Sequence, residues 1–359
     1  MSKRKKFTEL VNMKKKIAYL VIISLMFLFS FKIENTIFSQ DKNSKNMLNS
    51  HQGSCSIITC TVGDEVLYGY NYDGREELEP FIQFGDHLDF HDDDIADFGK
   101  PICCTGRMYE TGPTDLYARL NADGLALAYN SLEGIPMYID PLKEYYNCGG
   151  RFRIINCSSV QEVIDFYNQY NYYDLSTNPT WYWQSHIADA YGDAITVGLN
   201  EFGKVTITEK KESPFLISMN LNLAYPDCCD GPCNDSILRT NIATEMLETI
   251  VEKQSLTVND FRDVLEAISC EATTHSLIFN PKTFDIYVYY RQDFSKVFKF
   301  NLEEELNALA PGEVNFYDLK EMYDNSNDIK FFGSSVIISV FCFGLVVLII
   351  KSKKDVIKS

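Results

Sequence analysis

Two runs of strand-forming residues, Ser56 to Val62 and Val66 to Tyr70, flank Gly63, Asp64 and Glu65. β-Branched and aromatic residues suit a pleated surface, and a three-residue loop holding glycine joins antiparallel strands, so this stretch predicts a β-hairpin. In a hairpin the start of the first strand lies near the end of the second. Cys55 opens the first and Asp73, eighteen residues on, closes the second. A thiol and a carboxylate therefore meet at one end of a sheet.

Further on, Leu116 to Leu120 and Leu125 to Tyr129 flank Asn121-Ala-Asp-Gly124, a second hairpin that ends at Asn130. Ser159 and Glu162 form a capping-box pattern, followed by Val160, Val163, Ile164, Tyr167 and Tyr170 at helical spacing. Strands are expected at His186 to Ala190, Ala194 to Leu199, Val205 to Thr208 and Phe215 to Met219, the last leading into Asn220. Two helices follow, one from Asp235 to about Glu252 and one from about Thr257. Strands at Thr274 to Asn280 and Asp285 to Tyr290 close the domain. Strands, then helices, then strands, without βαβ alternation, indicate an α+β fold.

The ends differ from this domain. Residues 1 to 16 carry seven basic side chains against Glu9, and Ile17 to Phe31 is apolar, so 1–31 reads as a signal peptide or a signal anchor. Residues 32–54 are polar and read as a pro-segment or linker. The catalytic domain is expected over 55–310 and a linker over 311–330. Phe331 to Ile350 holds no charge and is long enough to span a bilayer, followed by a basic cytosolic tail at 351–359. Basic residues on the outer flank of each apolar segment place both ends in the cytosol and the domain outside, at the cell membrane. The chain carries −17 overall although both ends are basic, so the domain is strongly acidic and excludes a nucleic-acid partner.

Cys55, Ser56, Gly69, Asn71 and Asp73 resemble the start of the choloylglycine hydrolase and acyl-CoA:6-aminopenicillanic acid acyltransferase group, linear amide C-N hydrolases of the amino-terminal nucleophile (Ntn) superfamily. The string Leu120-Asn-Ala-Asp-Gly-Leu-Ala-Leu-Ala-Tyr-Asn130 resembles a second family segment, Asn220 with Pro226 a third, and Ser236 with Arg239 a fourth. The resemblance covers roughly Cys55 to Leu306. It implies a four-layer αββα sandwich and a chain cut before Cys55. Cys55 would be the nucleophile, its own α-amine the base, and Asp73 the group that orients that amine. It also implies an oxyanion hole from the Asn220 side chain and the Asn130 backbone, with Arg239 as electrostatic support. Tyr70 and Asn71 are candidate substrate contacts. No cofactor or metal is implied. Tyr70 stands where bile-salt and penicillin V hydrolases carry arginine, which tilts the resemblance towards the acyltransferase-like branch.

The chemistry fits a terminal cysteine, because amides need a strong nucleophile and the α-amine titrates near pH 8, at about 7.7 to 8.0. The expected activity is hydrolysis, or acyl transfer, of a linear N-acyl amide through an acyl-thioester on Cys55. The rival reading is an inactive ligand-binding ectodomain with Cys55 in a disulfide, to Cys60 or another thiol. A papain-like arrangement is weaker, since none of the five histidines stands in that family's setting. His87 and His91 beside Asp92, Asp93 and Asp94 lack the further ligands of a metal site.

Overall fold

The computed structural model describes residues 55–326, apart from 75–78, 89–95, 110–111, 147–153, 155, 173–179, 226–233 and 311–312. The expected signal or anchor, the pro-segment, the span at 331–350 and the basic tail lie outside the described residues, as do His91 to Asp94 and the pair Cys228 and Cys229. Among the described residues no helix is long and apolar enough to cross a membrane.

In chain order the strands begin with β1 (Ser56–Val62), β2 (Glu65–Asp73), β3 (Glu79–Leu88), β4 (Ala96–Tyr109), β5 (Gly112–Asn121), β6 (Ala126–Pro136) and β7 (Glu144–Tyr146). Helix α1 (Val160–Gln169) precedes β8 (Tyr170–Tyr172), β9 (Thr180–Ala188), β10 (Ala194–Leu199), β11 (Val205–Glu209) and β12 (Phe215–Ser218). Then come α2 (Asn234–Glu252), α3 (Val258–Ala267), β13 (Thr273–Phe279), β14 (Asp285–Tyr290), β15 (Phe298–Asn301), α4 (Leu302–Asn307) and β16 (Asn315–Asp318).

These strands form a six-stranded sheet, β12-β1-β2-β13-β14-β15, and an eight-stranded sheet, β11-β10-β9-β6-β5-β4-β3-β16, both antiparallel in every pairing. A parallel pair, β7 with β8, stands apart. Alternation along each strand then sets the layers. In β2, Tyr68, Tyr70 and Tyr72 point between the sheets, where they meet the small residues Ala118, Ala126, Ala128 and Ala188 of the larger sheet. On the other face of the smaller sheet Ile58, Cys60, Leu67 and Ile278 pack against Ala243, Leu247 and Ile250 of α2 and Phe261 and Leu265 of α3. Leu127, Ile187 and Val197 likewise meet Val160, Val163 and Phe166 of α1 on the outer face of the larger sheet. The order is helices, sheet, sheet, helix. Each fully buried aliphatic or aromatic side chain in these layers contributes about 1.5–3 kcal/mol.

Local chemistry sets the helix starts. Ser159 accepts from the Glu162 N–H, and the Glu162 carboxylate reaches the N–H of Ser158, one residue earlier than the expected box would place it. Thr257 and Asp260 form a complete capping box at α3. α3 lies so close to β2 that a Cβ on Gly69 would stand 2.6 Å from the Phe261 ring.

One expectation changes. The stretch expected as a linker, 311–330, supplies β16, which pairs with β3, so the folded domain extends past 310. β3 and β4 pair with His87 opposite Asp97 and Leu88 opposite Ala96.

Candidate active site

The first hairpin carries the site. Its register runs from Val62 opposite Glu65 to Ser56 opposite Asn71, so the turn is the two residues Gly63 and Asp64, with Gly63 at φ 60° in the left-handed region. β13 pairs with the far side of β2 and sets Thr273 opposite Asp73. β12 pairs with β1 and ends at Ser218 opposite Ile57, two residues short of Asn220 on one strand and of Cys55 on the other. Three ladders thus converge on one sheet end.

Cys55 is 4% exposed and belongs to the layer between the sheets. Its Sγ accepts a hydrogen bond from the Tyr70 hydroxyl at 3.5 Å. Burial, with the Asp73 charge second, pushes the thiol up to about 11; the Tyr70 hydroxyl, the Asp73 backbone and Arg239 act the other way. In the uncut chain the sulfur is therefore a neutral thiol. Among the described residues it is a free cysteine. A bridge to Cys60 is excluded by geometry: Cys60 lies in the opposite, helix-facing layer, and five residues of strand span roughly 16 Å, whereas a disulfide needs Cα atoms within about 7 Å.

On the helix-facing side of β2, Asp73 is buried and accepts from Thr273 Oγ1 at 2.5 Å and from Arg239 Nη1 at 3.2 Å. Burial outweighs Arg239, Thr273 and Cys270 and pushes the carboxyl up to about 6. Arg239 comes from the first turns of α2, is 2% exposed, pairs with Asp235 at 2.9 Å and donates to Ser56 Oγ at 2.7 Å. One guanidinium therefore joins the helix, the residue after the cysteine and the carboxylate.

Asn130 ends the inward-facing row of β6, and its side-chain Nδ2 donates to the Cys55 carbonyl at 2.9 Å. Asn220 donates from Nδ2 to the Ser131 carbonyl at 2.7 Å and is half-buried. Tyr70 touches the sulfur, but Asn71 does not share its face. The Asn71 amide donates to the Leu265 carbonyl of α3 at 2.8 Å and holds strand to helix. Of the residues expected at the site, Cys55, Tyr70, Asp73, Asn130 and Arg239 are joined by hydrogen bonds directly or through Ser56.

Sequence reasoning missed Ser56 as an Arg239 partner, together with Thr273, Cys270, Ser218 and His186. Each depends on a register or layer contact between distant segments, and no local pattern announces it. Among the described residues no cluster of histidine, cysteine and acidic side chains is arranged to hold a metal.

No protein-family model and no curated protein matches the chain. Solved structures do. A variant of conjugated bile acid hydrolase from Clostridium perfringens matches with a TM-score of 0.55 at 12% identity, covering 73% of this chain and 96% of that one. A second variant of that hydrolase gives 0.56 at 13%, covering 74% and 97%. Penicillin V acylase from Agrobacterium tumefaciens gives 0.52 at 12%, covering 74% and 91%. At such identities the likeness is one of fold, and it spans nearly the whole of each neighbour. The resemblance drawn from Cys55, Gly69, Asn71 and Asp73 is borne out at that level: the chain has the fold of the choloylglycine hydrolase group of Ntn hydrolases.

Proposed function

We propose that this chain is an amidohydrolase of linear N-acyl amides, working through Cys55 once the peptide before it is removed. The observation that carries the reading is the free Cys55 thiol at the convergence of three strands, one residue from the buried Asp73–Arg239 pair and held by Asn130. The solved structures that share the fold are named as a hydrolase of conjugated bile acids and an acylase of penicillin V, both amide-cleaving.

Cleavage between Ser54 and Cys55 frees an α-amine whose pKa of about 7.7–8.0 suits a general base at neutral pH. That amine takes the thiol proton as sulfur attacks the substrate carbonyl. A second N–H of the Asn220 amide and the Asn130 backbone N–H then receive the developing oxyanion, where one lost donor costs about 3–4 kcal/mol. The amine product leaves with the proton, and water, or a second acyl acceptor, resolves the acyl-thioester. Asp73, ionised and paired with Arg239, orients the ammonium. Tyr70 offers sulfur a neutral phenol where bile-salt and penicillin V hydrolases carry a cation, which favours an uncharged acyl group.

The domain is read as facing outward and tethered to the bilayer by the span at 331–350. A lipid-like N-acyl amide suits that position. The rival, an inactive ectodomain with Cys55 in a disulfide, gains no support from the free thiol. A panel of N-acyl amides of increasing chain length, given to the purified full-length protein, tests the reading. Turnover by the parent and none by Cys55→Ala is expected; equal turnover by the two overturns it.

A further inference from the structure

Behind Cys55 runs a buried chain of hydrogen bonds that joins both sheets. Asn130 Nδ2 donates to the Cys55 carbonyl at 2.9 Å, Ser218 Oγ donates to Asn130 Oδ1 at 2.8 Å, and His186 Nδ1 lies 2.8 Å from Ser218 Oγ. At the far end His186 Nε2 lies 2.8 Å from Thr59 Oγ1. Thr59, Asn130, His186 and Ser218 are all completely buried.

The polarity of this chain follows from one end. A backbone carbonyl only accepts, so the NH2 of Asn130 faces Cys55 and its oxygen faces Ser218. Ser218 has one proton, which goes to that oxygen. Its lone pair must then accept from His186, which fixes the proton on Nδ1. Nε2 is left bare and accepts the Thr59 proton. Burial holds the imidazole neutral, pushing it down to about 3, so this arrangement persists across the working pH range. The Tyr68 hydroxyl, donating to the His186 carbonyl at 2.9 Å, and the Tyr68 ring set edge-on to the imidazole keep the histidine in place.

We infer that His186 is a positioning residue for the nucleophile, acting through Ser218 to aim the Asn130 amide at the Cys55 carbonyl. The inference rests on Cys55 being the nucleophile and adds a residue that no motif marks. Its physical need arises at cleavage. Once the preceding peptide is gone, Cys55 is a chain end free to fray, and the carbonyl is where the protein can still grip it beyond the strand ladder. A carbonyl held from the second sheet keeps the sulfur and amine in attacking geometry, where a displacement of about 1 Å costs on the order of 100-fold in rate.

Two measurements on the full-length protein test this. Nitrogen-15 NMR of labelled histidine, with the His186 signal identified by its loss in His186→Asn, reads the tautomer without any assay. A proton on Nδ1 is expected, and a proton on Nε2 overturns the inference whatever the protein hydrolyses. In turnover, His186→Leu and Ser218→Ala each lower kcat about tenfold or more with KM within about twofold, the penalty of an unpaired buried group. His186→Asn, which restores an N–H at the Nδ1 position, recovers most of that loss. The double variant His186→Leu/Ser218→Ala is no slower than the worse single, because both break one chain. Additive losses, or His186→Asn as slow as His186→Leu, overturn the inference. An Nδ1 proton in a chain that turns over no amide refutes the hydrolase reading and leaves the hydrogen-bond chain standing.

Discussion

At the residue scale, the site is a balance between burial and one cation. Asp73 has almost no contact with water, and burial would keep it protonated were Arg239 and Thr273 not beside it. Its folded value of about 6 lies above the unfolded 3.8, so between these the folded chain holds a proton that the unfolded chain has lost. Stability therefore falls as pH rises through that window and is level above it. In the proposed mechanism activity moves the other way, since there only the ionised carboxylate orients the ammonium. The acid side of kcat/KM is expected to hold two ionisations, that of the α-amine at about 7.7–8.0 and, below it, the limb set by Asp73 near pH 6. Arg239→Met removes the group that lowers Asp73 and leaves a carboxyl buried without its partner. The Asp73 limb then moves to higher pH, and the urea midpoint falls by the equivalent of about 3–5 kcal/mol. An unmoved limb in a folded Arg239→Met protein would show that Asp73 does not govern it. Arg239 was legible as a candidate through the family resemblance that Ser236 and Arg239 carry, whereas Thr273 was not, because only the β2–β13 register sets it against Asp73.

At the scale of elements, β2 does most of the organising, and its two faces explain why. Odd positions Gly69, Asn71 and Asp73 serve the helices; even positions Tyr68, Tyr70 and Tyr72 fill the space between sheets. Gly69 is a point of close approach to α3. In Gly69→Val the added carbons meet the Phe261 ring and Leu265, with a contact of 2.6 Å already at Cβ, so strand and helix must separate. Overpacking of this kind costs about 1–3 kcal/mol. Because Asn71 and Asp73 follow on the same face, turnover falls further than stability requires. Thermal unfolding and turnover measured on one preparation check this, and a Gly69→Val protein with parental melting temperature and rate contradicts it. The hairpin, the paired helices and the closing strands were legible because alternation and helical spacing are local. β3 and β4 were not, since Pro80, Pro101 and the run of aspartates between them break the strand pattern, and their pairing in the larger sheet overrides it. β16 was hidden by the polar stretch around it, its place secured by pairing with β3.

For the whole molecule, two sheets face each other so that the proposed nucleophile enters from one and its supports from both. Cys55 and Asp73 come from the smaller sheet, Asn130 and His186 from the larger, and Arg239 from the helix layer. The order of Cys55, Asp73, Asn130, Asn220 and Arg239 along the chain was enough to indicate the fold, through the family resemblance that these positions carry. What joins them was not legible, because long-range contacts between sheets leave no spacing in the sequence. In the uncut chain the thiol is neutral and buried and has no α-amine to take its proton. Removal of the residues before Cys55 is therefore the event on which the account depends. Intact mass and amino-terminal sequencing of catalytically active full-length protein measure it most directly. The account predicts a working molecule that begins at Cys55, and active enzyme still carrying residues 32–54 would contradict it.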